Sequence, residues 1–474
     1  MEEYESYDGL GLAELVRKGE TQPKELLDAA LERMERHEPA LNAVPIPMIE
    51  EARAALEAGL PEGPFTGVPF LLKDLHLYWA GVRTTNGSQL FAEHVPDHDS
   101  ALTERYRAAG LVTFGKSLSP EFGITPTSES IQFGDTHNPW NPAHSAGGSS
   151  GGAAAAVAAG YLPLANASDG GGSIRIPAAA CGLFGMKPTR GRTPMGPDVG
   201  EGWAGMSIVH AVSRSVRDNA ALLDATAGPD LGAPYVAPPP VRPYLDEVSR
   251  PPGRLRIALQ RSTWNGTPTH ADCITAVEDV AQLCEELGHD VVEATLEIDA
   301  DAMRRASMTI LPASLLVSLE DRAEALGREL EESDVEAGTW GMAMAGRGRS
   351  AADYVRAVKG IHHIGRQVAR FQANYDVILT PTMALPPTPL GTLSLSSPNP
   401  GANIEALLQT IGFCQVFNAS GSPAMSVPLT WNEAGLPIGI QFAGRFGDEG
   451  TLFRLAGQLE QARPWFDRRP PISG

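Results

Sequence analysis

Lysine is rare in this 474-residue chain: there are six, Lys18, Lys24, Lys73, Lys116, Lys187 and Lys359. With 37 basic against 57 acidic residues the net charge is −20, which argues against binding nucleic acid or an anionic membrane through a basic surface. Cysteine is equally sparse. Cys181, Cys273, Cys284 and Cys414 show neither C-x-x-C spacing nor the density of a disulfide-stapled secreted domain, so reduced thiols are expected. Long apolar runs are missing too: the longest, residues 153–167, is broken by Gly160 and Pro163 and falls short of the ~20 residues of a membrane helix. The opening MEEYESYDG is acidic, whereas a secretory signal starts basic and continues apolar. A cytoplasmic location is expected.

What is present suffices for a core, with 42% hydrophobic and 20% charged residues. PKELLDAALERMERHEPALNAV places Leu26, Leu27, Ala30, Leu31 and Met34 at helical spacing, an amphipathic surface helix. FTGVPFLLKDL and GLVTFGKS read as short buried strands bounded by Gly or Pro, and residues 153–167 as a buried helix followed by a strand. This alternation favours an α/β architecture whose sheet is covered on both faces. A Pro-rich stretch over 229–252 precedes GRLRIALQ, a new strand. Residues 273–372 read as mostly helical with a loose middle, ESDVEAGTWGMAMAGRGRS, after which YDVILTPTMALPPTP and GLPIGIQFAG return to strand. One domain spanning 1–474 is expected, with a core of about 55–225 resumed at about 376–470 and a helical peripheral part of about 253–375. The last segment alone is too short for its own core.

Two Gly/Ser clusters carry the chemical signal. GGSSG at Gly147–Gly151 matches G-x-S-x-G with Ser149 as nucleophile, but that elbow needs a strand directly before it, and NPWNPAHSA is a polar loop with two prolines. No G-K-[ST] follows the glycines, and no S-x-x-K occurs. In DGGGSIRIPA, three successive glycines let backbone N–H groups turn toward one point beside a serine, as an oxyanion hole requires; a tight turn after the strand YLPLANA would look the same. A serine nucleophile without histidine can use a lysine kept neutral by burial. Lys18 and Lys24 sit in the polar N-terminal segment, Lys359 on a basic helix, and Lys116 and Lys187 beside turns. Lys73 alone is embedded in an apolar strand, VPFLLKDLHL, although an edge lysine paired with Asp74 fits that position too.

Together, GVPFLLKDL around Lys73, the tandem serines of GGSSGG, and SDGGGSIRIPAAACGLFGMKPTRGR, with Ser173 24 positions after Ser149, resemble the amidase signature family. NPWN before the signature and NASGSPAMSVPL and GLPIGIQFAG near the end extend the resemblance over nearly the whole chain, most of all to the branch of cyclic-dimer hydrolases, aryl acylamidases and urethane-cleaving amidases. The resemblance implies a large mixed β-sheet covered by helices and hydrolysis of amides without metal or cofactor; with no basic cluster to hold a carboxylate or phosphate, a neutral, partly apolar amide or carbamate fits best. The resemblance assigns Ser173 as nucleophile, Ser149 as a bridging serine on a cis peptide bond, and Lys73 as base. Oxyanion donors would be the backbone at Gly170, Gly171, Gly172 and Ser173, and Gly123 and Thr125 would wall the acyl side. Many relatives carry a bulkier residue where Gly170 stands, which implies a more flexible loop. Carbamate or ester cleavage by the same triad is the alternative; an amidotransferase subunit would need partner subunits, and a silent scaffold would have lost the lysine or a serine.

The remaining candidates carry less. Asp169 and Arg175 read as organisers of the loop beside Ser173. His94 and His98 in HVPDHD have metal-pair spacing, but a polar loop containing Pro96 is no helix, so no metal site is expected. The segment around Trp340, Gly338–Arg349, could border the pocket. Expected partners are a small-molecule amide or carbamate and, at most, a second copy of the chain.

Overall fold

A computed structural model describes residues 3–397 and 403–473 of the chain. Its central sheet follows from strands whose side chains are apolar on both faces. Along Val377–Pro381, Val377 and Leu379 enter one apolar cluster while Ile378 enters another, and Met425 and Val427 part from Ala424 in the same way. Because side chains alternate across a strand, such strands must be covered twice. The helices Val216–Thr226, Ala271–Glu286 and Glu449–Ala462 bring Leu223, Val277 and Leu452 to one face. Ala300–Ala325, Ala351–Gln372 and Gln415–Ser420 bring Ala306, Ile361 and Phe417 to the other.

Eight strands hydrogen-bond in the order Asp290–Glu293, Arg256–Leu259, Val377–Pro381, Pro437–Gly444, Ala424–Trp431, Phe184–Lys187, Ile208–Ser213 and Leu164–Asp169. The first three run parallel and the remaining pairs antiparallel. The architecture is therefore the expected mixed α/β sheet between helices. Two of its strands come from the segment 253–375, which supplies sheet as well as helices.

A separate three-stranded sheet pairs Val112–Ser117 with Pro69–Lys73 in parallel and with Ile46–Pro47 antiparallel. Every residue of its two longer strands is buried. Lys73 N–H donates to Asn166 Oδ1 at 3.1 Å, which ties this small sheet to the edge strand Leu164–Asp169 of the large one. Between them lies the helix Gly151–Ala158, buried along its whole length, where alanine and glycine let the sheets approach.

The stretch expected to be loose instead contains the helix Ala337–Arg347. Alanine and methionine favour helix, and Gly346 lets it approach the helix Ala300–Ala325 so closely that a Cβ there would lie 2.5 Å from the Pro312 carbonyl oxygen. Met342, Ala343 and Met344 then pack with Phe122, Leu315 and Leu319. Among the described residues no helix is long and apolar enough to cross a membrane, and all four cysteines are free and buried.

Candidate active site

Lys73 ends its strand with 1% of its surface exposed. Its Nζ donates to Ser149 Oγ at 2.7 Å and to Ser168 Oγ at 3.0 Å. Burial drives its pKa well below the ordinary lysine value, opposed in part by the Asp169 carboxylate, since removing water disfavours the ammonium form. Asp74 is not its partner: that carboxylate accepts from Thr85 N–H at 2.8 Å and from the Thr85 hydroxyl. Ser168 was missed in the sequence, although strand periodicity points to it. Asn166 and Ser168 share one face of Leu164–Asp169, so the same strand holds the Lys73 backbone through Asn166 and its amine through Ser168.

Lys73 is not alone in a buried strand: Lys116 lies in Val112–Ser117, the strand expected from GLVTFGKS, and Lys187 ends Phe184–Lys187. Burial brings Lys116 down to about 8 and Lys187 to about 7. Lys116 Nζ donates to Thr84 Oγ1, and Lys187 Nζ to the Pro188 carbonyl at 2.9 Å. Burial alone therefore does not single out Lys73; contact with two serine hydroxyls does.

The linker-like GGSSGG is a tightly packed turn. The Gly148–Ser149 peptide is cis, and a Cβ on Gly148 would lie 2.3 Å from the Thr127 carbonyl oxygen, so only glycine lets the chain cross there. Gly123 stands against Ser149: it is left-handed at φ +65°, and a Cβ on it would sit 2.9 Å from Ser149 Oγ. Thr125 faces elsewhere, its hydroxyl donating to the Leu393 carbonyl at 2.9 Å. Trp340 belongs to the helix Ala337–Arg347, which packs with Phe122 and whose N-cap residue Glu336 donates its N–H to Glu121 Oε2 at 2.8 Å.

Asp169 organises the second glycine cluster. Its Oδ1 accepts from Gly172 N–H at 2.7 Å and from Asn418 Nδ2 at 2.8 Å, and its Oδ2 accepts from Ile174 N–H at 3.2 Å. Both oxygens bind Arg175, at 2.9 Å each. Burial would raise its pKa, but the Arg175 guanidinium holds the carboxyl well below the usual range. One expected oxyanion donor, the Gly172 N–H, is thus already engaged by Asp169. The N–H groups of Gly170, Gly171 and Ser173 have no acceptor among the described residues, and a Cβ on Gly171 would meet open space. The Ser173 hydroxyl is half-buried and likewise bonded to no described residue. Gly170 gives the loop no added freedom, because Trp203 fills its slot: a Cβ there would lie 2.5 Å from Trp203 Cζ3.

His94 and His98 both meet Tyr78 edge-on but differ in their other neighbours. His98 lies between Asp97 at 2.8 Å and Asp198 at 3.0 Å, whereas His94 packs edge-on against Tyr78 and Phe91. The site itself brings a buried amine against the hydroxyls of Ser149 and Ser168 and leaves the N–H groups of Gly170, Gly171 and Ser173 without an acceptor among the described residues.

A family model described as Amidase matches residues 25–453. The 6-aminohexanoate-cyclic-dimer hydrolase of Paenarthrobacter ureafaciens is 38% identical over 477 residues, 98% of this chain and 96% of the relative. The solved structure of 6-aminohexanoate cyclic dimer hydrolase complexed with substrate superimposes with a TM-score of 0.94 at 37% identity over 99% of both chains. A bacterial aryl acylamidase of the amidase signature enzymes gives 0.88 at 25% identity over 97% of this chain and 96% of that one. A match of this extent, over a chain that buries a lysine against the serine of GGSSGG, makes it a member of the amidase signature family and an amidohydrolase.

Proposed function

We propose that the protein cleaves neutral, partly apolar amides through an acyl-enzyme, with Ser173 as nucleophile, Ser149 as relay and Lys73 as base. The observation that carries this reading is the 2.7 Å contact between the buried Lys73 amine and Ser149 Oγ. A lysine in its free-base form can take the Ser149 proton while Ser149 takes that of Ser173, so that Ser173 Oγ attacks the carbonyl carbon. In this scheme the oxyanion accepts from the N–H groups of Gly170, Gly171 and Ser173, which have no acceptor among the described residues; each such donor contributes about 3 kcal/mol in other enzymes. Gly172 serves differently, fixing the loop through Asp169. The proton then returns by the same relay to the leaving nitrogen, and water cleaves the acyl-enzyme by the reverse path.

Amides are favoured over carbamates and esters because the matching family model is described as Amidase and one similar structure is an aryl acylamidase. Every group in the scheme comes from one chain, so it needs no partner subunit, and its proton path includes no metal or cofactor. A fluorophosphonate probe tests it: the added mass should fall on the peptide carrying Ser173, Ile174 and Arg175. Adduct on Ser149 instead would overturn the assignment.

A further inference from the structure

Glu121, the one charged residue of the stretch 117–128, stands two positions before Gly123. Only 1% of its surface is exposed, so its carboxyl must find its partners inside the protein. Its Oε1 accepts from the Ser88 hydroxyl at 2.6 Å, and its Oε2 accepts from the Glu336 N–H at 2.8 Å. One side chain thus joins the turn at Ser88, the turn at Gly123 and the start of the helix Ala337–Arg347. Burial, helped by the Glu336 carboxylate, pushes Glu121 up to about 7. Near neutral pH the protein therefore carries the acid and its anion in one fold, and a neutral group that makes the same hydrogen bonds can stand in for it.

The turn that Glu121 anchors needs such support. Phe122 and Gly123 are both left-handed, at φ +51° and +65°, a conformation that a non-glycine residue such as Phe122 seldom holds unless its surroundings impose it. The Phe122 side chain packs with Leu315, Leu319 and Ala343, and its N–H donates to the Asn86 carbonyl at 2.8 Å. This path brings Gly123 so near the relay serine that a Cβ on it would lie 2.9 Å from Ser149 Oγ. The same oxygen receives the Lys73 amine at 2.7 Å. We propose, on the relay reading above, that Glu121 is a positioning residue: by tying the Ser88 turn to the helix Ala337–Arg347 it holds Gly123 against Ser149 Oγ and keeps that hydroxyl in place for proton transfer. Without the carboxyl, a buried hydroxyl and a buried N–H lose their acceptor, the turn can relax and Ser149 gains room. Proton transfer through a relay is sensitive to such placement. The effect is larger for an amide, whose leaving nitrogen must be protonated, than for an activated ester, whose leaving group departs without a proton.

The test compares kcat/KM on hexananilide and on p-nitrophenyl hexanoate, which share their acyl half, so that a loss of folded protein cancels in the ratio. Glu121→Ala should lower the anilide-to-ester ratio about tenfold. Glu121→Gln should stay within about threefold of wild type, because its amide oxygen can accept from the Glu336 N–H while its NH₂ donates to Ser88 Oγ. An unchanged ratio in Glu121→Ala, or an equal loss in the glutamine variant, would overturn the proposal. Should Glu121→Ala fail to fold, Ser88→Ala is measured in its place, since it leaves the bond to the helix intact; a ratio lowered about twofold or more supports the role, and an unchanged ratio overturns it. Ser149→Ala is scored separately. Wild-type anilide turnover in that variant removes the relay itself, whereas its loss beside unchanged ratios in the Glu121 and Ser88 variants removes the positioning role alone.

Discussion

Lys73 shows how a single residue acquires a function from its surroundings. Its free-base form is favoured by burial, and that form is the one able to accept a proton. Activity on amides should therefore rise with pH as the depressed lysine deprotonates and stay high until the fold fails. Lys73→Arg should leave activity reduced at least 10³-fold, because guanidinium stays charged throughout this range. Ser168→Ala adds a finer check. Ser168 accepts from Lys73 at 3.0 Å, and a hydrogen bond from a charged donor is stronger than one from a neutral donor. Its loss should therefore shift the acidic limb of the kcat/KM profile to lower pH. A profile that keeps its midpoint in Ser168→Ala would mean the contact does not tune the lysine.

Among the elements, the loop from Asp169 to Ser173 depends on partners distant in sequence. Gly170 and Trp203 are complementary, since the indole occupies the space a side chain would need. Gly170→Ala should cost about 1–3 kcal/mol through overpacking, seen as a lower urea midpoint, and should lower turnover by displacing the adjacent donors. Combining it with Trp203→Ala should recover much of the stability. If the double variant is no more stable than Gly170→Ala, the two residues are not coupled. The glycines and Ser173 of this loop could be read from DGGGS, and Asp169 and Arg175 were recognisable as its organisers. The commitment of the Gly172 N–H to Asp169 could not be read, because which of four amides turns inward depends on the whole loop.

In the whole molecule, the two halves of the chain interleave in one sheet. Phe184–Lys187 pairs with Ala424–Trp431, and Arg175 Nη2 donates to Asn418 Oδ1 at 2.7 Å. The Pro-rich connection between the halves exposes Leu231, Val236 and Val241. Thermolysin should cut there first, leaving two fragments that co-elute on a sizing column and retain activity, since ladder bonds and packing still join them. Fragments that separate without denaturant would show that the halves fold independently.

What the sequence determined by itself was local: strand and helix periodicity, the fully apolar setting of Lys73, and the Gly/Ser clusters that place Ser149 and Ser173 in their motifs. Side-chain spacing and backbone tolerance are properties of neighbouring residues and survive in a linear reading. Tertiary structure decided the rest. Lys187 read as a residue beside a turn until its strand was buried, and the alternative pairing of Lys73 with Asp74 fell when Thr85 took that carboxylate. Ser168 and Trp203 gained their places only when separate segments met at Lys73 and Gly170. Each of these outcomes depends on which non-local surface excludes water from a group and which atom then satisfies it, and no stretch of adjacent residues encodes that by itself.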